Sequence, residues 1–278
     1  MSLLRLTIVN IILFPMRVSR NLWSRRELIF HFTWRDFVGR YRGAHLGLVL
    51  SIVSPLFLLG VYTFAFGVFF KSPIAKADGT GPFALTLFSA LVFYNFFNEA
   101  VSRAPKLLIE NPNYITKVIF PVEILPVSAV GVALLHFMVS ISILLGGIIL
   151  AFGAIPLSVL WLPFVLCPLI LLTLGICLFL SALGVFLRDI SAIIPPLMMA
   201  LLFASAIFFP ISSMPDGTQF WLLLNPLACF SEMGKSIFIK NEAPSMPLWG
   251  YCMSIGLVCF FAGYAVFDRL KRSFSDSL

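Results

Sequence analysis

Arginines set among aromatic rings are the residues of this chain with the clearest chemical use. Arg25, Arg26, Arg40 and Arg42 lie in the stretch Asn21 to Gly43, together with Trp23, Phe30, Trp34, Phe37 and Tyr41. A guanidinium group binds phosphate through directional, charge-assisted hydrogen bonds, and aromatic side chains favour the boundary between lipid and water. The pattern has two readings: an anchor that fixes a helix at a membrane surface, and a set of donors that also meets a phosphate headgroup.

The other reactive groups point away from catalysis. His136 stands alone in an apolar run, which favours an interior, hydrogen-bonded histidine over a metal ligand. Asn95 and Glu99 lie one helical turn apart with Asn98 beside them. A carboxylate there is costly unless it faces protein or water, so a structural hydrogen bond or ion pair is expected ahead of a pathway-lining role. Cys167, Cys177, Cys229, Cys252 and Cys259 show no metal-ligand spacing and read as small buried hydrophobes. Gly234-Lys235-Ser236 looks like the end of a phosphate loop, but Cys229 stands where that loop needs glycine. With no zinc, nucleophile or dinucleotide motif, the chain is expected to be no enzyme and to hold no metal.

Composition says what positions these groups. The 278 residues are 60% hydrophobic and 11% charged, too little polar surface to cover a soluble globule, so an integral membrane protein follows. A bilayer core of about 30 Å needs roughly 20 apolar residues at helical rise. Six runs qualify, approximately 45–70, 82–102, 122–152, 157–187, 190–210 and 249–267. Gly153-Ala154-Ile155-Pro156 alone divides the third from the fourth. Backbone groups in lipid must be satisfied within each segment, so the expected fold is all-α, one transmembrane domain over residues 1–278.

Charge orients the spans. Fifteen of the 19 Lys and Arg residues fall on one side of a six-span arrangement, which predicts cytoplasmic termini. Lys71, Lys76, Lys235 and Lys240 take the other side. The net charge of +7 reflects this bias, with anionic lipid rather than nucleic acid as its counterpart. The apolar stretch Leu6 to Met16 lacks a small-residue cleavage site and is expected to be retained.

Within this frame, residues 21–43 are expected to form an interfacial amphipathic helix, since their aromatics recur at separations of 7, 4, 3 and 4. Gly39, Gly43 and Gly47 let another backbone approach, either within the subunit or at a homodimer seam. Tyr62, Phe66, Phe69 and Phe70 in the first span, with Phe93, Tyr94, Phe96 and Phe97 in the second, are either lipid-facing rings or the lining of a sugar passage. Pro210 to Trp249 is too polar to span, yet holds apolar clusters. It is expected to form short re-entrant helices, an extracytoplasmic gate over 210–248.

Short motifs run in order along these spans. They are Arg40-Tyr41-Arg42-Gly43 with Leu46-Gly47; Pro55; Tyr62-Thr63-Phe64 with Phe66-Gly67; Asn95-Phe96-Phe97 with Glu99-Ala100; Lys117-Val118-Ile119-Phe120-Pro121 with Glu123-Ile124-Leu125-Pro126; Arg188-Asp189; and Asn225-Pro226-Leu227. Through them nearly the whole chain resembles the membrane subunit of type-2 ABC exporters of lipid-linked polysaccharides, the group serving O-antigen, capsule and teichoic acid export. Two positions depart from that family's pattern: Val122 stands where it has Arg, and Ser205-Ala206-Ile207 where it has Ser-Pro-Val.

The resemblance implies a homodimer in the cytoplasmic (inner) membrane with a channel at the dimer interface, joined to two cytoplasmic ATPase subunits that bind the ATP and Mg. Residues 104–120 would form the coupling segment, making Arg103, Lys106, Asn111, Pro112 and Lys117 interface candidates. Arg25, Arg26, Arg40 and Arg42 would recruit the pyrophosphate of a polyprenyl carrier, and Tyr62, Phe66, Phe69, Phe70, Phe93, Tyr94 and Phe97 would line the glycan path. O-antigen is the leading substrate, with capsule or teichoic acid, or a drug or small lipid, as alternatives. The other classes are a membrane transferase, which would need convergent acid, base or metal groups at one membrane face, and an assembly scaffold, which would show no dependence on an ATPase.

Overall fold

The computed structural model describes residues 23–41, 49–65, 80–116, 120–208 and 216–274, and among them it is helical without a strand. In chain order the helices are α1 (Arg26–Tyr41), α2 (Val49–Tyr62), α3 (Thr80–Arg103), α4 (Asn113–Thr116), α5 (Ile124–Phe152), α6 (Leu162–Phe186), α7 (Ile190–Ala204), α8 (Asp216–Leu223), α9 (Pro226–Lys235) and α10 (Met246–Leu270). Among the described residues four stretches are long and apolar enough to cross a membrane: Pro82–Lys106, Ile124–Phe152, Leu157–Phe186 and Met246–Ser273. The chain is a multi-pass membrane protein.

The first and fifth expected spans are the shorter apolar helices Ile52–Ala65 and Ile190–Ala204. At 1.5 Å per residue the 15 residues of α7 reach only about 22 Å. The helix stops because Ala206 takes a left-handed φ of 51°, which no continuing helix allows. Two donors make three hydrogen bonds to the carbonyl and hydroxyl oxygens at this stop. Asn225 Nδ2 donates to Ala204 O at 3.1 Å and Ser205 Oγ at 3.3 Å, and Lys235 Nζ donates to Ala206 O at 2.7 Å. The division between α5 and α6 falls where the sequence put it. Gly153 adopts a φ of 78° and its N–H bonds Ile149 O at 2.9 Å, closing α5 with a left-handed cap.

Helix α3 forms the centre. Phe88, Leu91, Phe93 and Phe96 are buried on it, with Phe137 of α5 edge-on to Phe93 and Phe96 at 5.5 and 5.8 Å. Helices α6 and α10 pack with their backbones in contact through glycine. A Cβ on Gly263 would stand 2.0 Å from Gly175 O, and one on Gly175 would stand 2.4 Å from the Cys259 backbone. Small residues at a helix crossing let dispersion act between main chains, which in lipid replaces the hydrophobic drive available in water.

The short helices between α7 and α10 pack against protein. Gly234 of α9 lies where a Cβ would be 2.8 Å from Ser89 O of α3. Ser158, just before α6, donates to Ile237 O and lies 3.0 Å from Asn241 Oδ1. These ties seat the α8–α9 region at the end of the bundle where α5 finishes.

Candidate functional site

At the end where α5 begins, α1 lies against α5 and α3. Its inward stripe is Ile29, Thr33 and Phe37, and Thr33 fits because Gly131 of α5 has no side chain: a Cβ there would sit 2.6 Å from Thr33 Oγ1. Its outward face carries Trp23, Phe30 and Trp34, exposed by 71, 65 and 53%. The expected aromatic stripe therefore divides, with Phe37 turned inward beside Trp34 and against His136, 5.1 Å between ring centroids. A helix with an embedded stripe and outward tryptophans is suited to the membrane boundary.

Three arginines fasten this helix. Arg25 Nη1 donates to Glu123 Oε1 at 2.7 Å, just before α5. Arg40 Nη1 donates to Glu99 Oε1 of α3. The same carboxylate takes His136 of α5, whose Nδ1 lies 2.7 and 2.9 Å from its two oxygens. Between these ends, Arg35 Nη1 donates to Tyr114 Oη at 2.8 Å and Nη2 to Asp36 Oδ1 at 3.2 Å. Its guanidinium carbon lies 4.2 Å over the Phe32 ring and 5.7 Å from that of Tyr114. Phe32, Tyr114 and Phe120 complete a triangle of rings with centroids 5.0 to 5.4 Å apart.

The segment between α3 and α5 has an inner and an outer side. Ala104, Pro105, Leu107 and Leu108 are buried, and Gly184 of α6 makes room for Pro105 O, which a Cβ would meet at 2.1 Å. Lys106, Glu110, Pro112 and Asn113 are exposed along the outer edge. Asn111 is half-buried and donates from Nδ2 to Leu107 O at 3.0 Å, which closes the turn.

A model of the family described as ABC-2 type transporter matches residues 27–239, from the start of α1 to the turn after α9. The chain belongs to the ABC-2 type transporter family. It is similar over 265 residues to a protein named O-antigen export system permease protein RfbA from Myxococcus xanthus, 26% identical, covering 94% of this chain and 99% of that one. A protein of the same name from Klebsiella pneumoniae is 24% identical over 265 residues, covering 95% and 99%. Family membership implies work beside an ABC ATPase.

In this ABC-2 subunit the residues singled out from sequence fall into distinct places. Arg25 and Arg40 come together with carboxylates, and exposed Arg26 lies over Trp23 at 5.4 Å. Lys106 and Pro112 stand on the exposed edge. Arg103 turns inward: its Nη1 is buried with no hydrogen-bond partner among the described residues, in a neighbourhood of Arg40, Asp36, Glu99 and Glu110. Arg42, Lys117, Phe66, Phe69 and Phe70 lie outside the described residues, as do Gly43, Gly47 and the side chain of Tyr62.

The aromatics of α3 lie inside the subunit. Phe93, Tyr94 and Phe97 are exposed by only 0, 5 and 4%, so they line no open wall of this subunit. They pack its interior because α5, α6, α7 and α9 surround α3, and Tyr94 Oη is bound to Met198 O of α7. Lys235, in the fragment that looks like a phosphate loop, is also internal: burial pushes its pKa down from the usual lysine value.

Sequence reading missed Arg35 and Tyr114, and found Glu99, Glu123 and His136 without their partners. The available signal was local: in a chain this apolar, each charged or polar residue near a span needs a counterpart.

Proposed function

We propose that this chain is the permease subunit of an ATP-driven exporter of a polyprenyl-pyrophosphate-linked polysaccharide, O-antigen first among the candidates, across the cytoplasmic membrane. The observation that carries this reading is the end-to-end similarity to relatives named as O-antigen export permeases. In this reading two copies form the channel, both termini are cytoplasmic, and two ABC ATPase subunits that hold ATP and Mg dock on the exposed edge bearing Lys106 and Pro112.

The geometry adds a condition on substrate recruitment. Arg25 and Arg40 are already engaged by Glu123 and Glu99, so a pyrophosphate headgroup at α1 competes with carboxylates. Phosphate offers more charge and more acceptor oxygens than a carboxylate, and exchange frees α1 from the spans it is pinned to. Nucleotide drives export only through different affinities of the subunit's states for the headgroup and for the ATPase.

The test is the ATPase activity of the complex, purified with its ATPase in lipid, with and without polyprenyl-pyrophosphate-linked glycan. Stimulation by the glycan lipid is expected. A stable complex without stimulation assigns the exporter another substrate, and failure of the two proteins to associate overturns the permease reading.

A further inference from the structure

Arg35 is distinct from the other arginines of α1. Arg25 and Arg40 reach carboxylates on or next to α5 and α3, while Arg35 reaches the segment between those helices. There its planar fork is used on several sides: one nitrogen donates to Tyr114 Oη, another to Asp36, and the plane lies over Phe32. Lysine could reproduce the charge but not the stacked, forked contact. Phe32 brings α1 to the same cluster, packed against Tyr114 and Phe120 at both ends of the stretch 114–120. The segment also packs on α6, where Pro105 meets Gly184, and touches α7.

We infer that Arg35 and Tyr114 are a positioning pair that makes α1 travel with the segment 104–120, so that displacement of this segment by the ATPase is delivered directly to the membrane-boundary helix. The inference rests on the proposed docking of the ATPase at that segment. The cluster is small and ring-packed, which favours movement as one body over bending at the contact. When the segment shifts, α1 either follows, loading the Arg25–Glu123 and Arg40–Glu99 bonds at its ends, or the Arg35–Tyr114 bond breaks. The first course brings nucleotide state to the same arginines that a headgroup would engage.

The decisive experiment is a double-mutant cycle with Arg35→Gln and Tyr114→Phe in the assembled transporter, reading the ratio of ATPase activity with polyprenyl-pyrophosphate-linked glycan to that without. Tyr114→Phe keeps the ring and its packing, so it separates loss of the hydroxyl contact from loss of fold. Each single variant is expected to lower the ratio about fivefold, with the double variant no worse than the worse single, as for residues acting through one contact. Arg35→Lys is expected to restore little. Ratios equal to wild type, or effects of the two substitutions that multiply, overturn the pair. A wild-type complex that ignores the glycan lipid instead overturns the polysaccharide as substrate, and the distance measurement that follows then tests the pair without it. A second measurement is the distance between spin labels at exposed Trp23 and Asn113, with and without ATP. It is expected to stay constant in the wild type and to vary in Tyr114→Phe, and a nucleotide-dependent distance in the wild type sinks the inference.

Discussion

His136 lies with Nδ1 2.7 Å from Glu99 Oε1, the same oxygen that receives Arg40, so one carboxylate joins α1, α3 and α5. Loss of its charge weakens both contacts, whereas removal of Arg40 leaves the histidine to satisfy it. Glu99→Gln is therefore expected to cost more than Arg40→Gln, about 2 kcal/mol against about 1, for half-exposed charge-assisted bonds. Thermal unfolding in lipid nanodiscs measures both, and equal losses would show that the histidine contributes nothing.

Glu123→Gln leaves Arg25 available to a headgroup. The half-maximal concentration of polyprenyl pyrophosphate for ATPase stimulation is expected to fall, by about threefold to tenfold for roughly 1 kcal/mol of released competition. A rise would mean that Glu123 supports binding rather than opposing it.

Two glycines separate packing from permissiveness. Gly263→Ala drives a methyl group into Gly175 O and is expected to cost about 3 kcal/mol or more, visible as loss of folded protein from the membrane. Gly39→Ala meets nothing within 4 Å in the last turn of α1 and is expected to stabilise by about 0.5 kcal/mol. Expression and melting temperature of the two variants, compared side by side, test this.

Lys235 gives a pH prediction. Its folded pKa is lowered by burial, chiefly through desolvation, with Lys240 adding to the fall and Glu232 opposing it. Between that pKa and the unfolded value of about 10.4 the unfolded chain binds more protons, so stability rises with pH through that window and is flat below it. The stability of wild type relative to Lys235→Met is expected to increase as pH climbs through the same window. A difference independent of pH would mean that the ammonium is well solvated.

Hydropathy made the long spans and their breaks legible, because length and turn chemistry are local properties: Gly153 marks its own helix end. The end of α7 was not legible, since what holds it, Asn225 and Lys235, lies 20 or more residues further on. The same distance hid the partners at the candidate site: Arg40 and Glu99 are 59 residues apart, and Arg25 and Glu123 are 98 apart. The fate of the α3 rings was hidden for another reason. A helix apolar on every side has no periodic signal to say which face meets protein and which meets lipid or a passage. Phe93 and Phe97 could be located only after α5 and α9 were in place.

The crossing of α6 and α10 also limits how this subunit moves. With Gly175, Gly256 and Gly263 holding main chain against main chain, a slip of one residue would set a side chain where a carbonyl now lies. Such a contact has one register and no soft side chains to absorb shear. The pair is suited to act as a stator, so a transport cycle finds its travel in the helices with looser seats, α2 and α7, and in α1 once its ion pairs exchange.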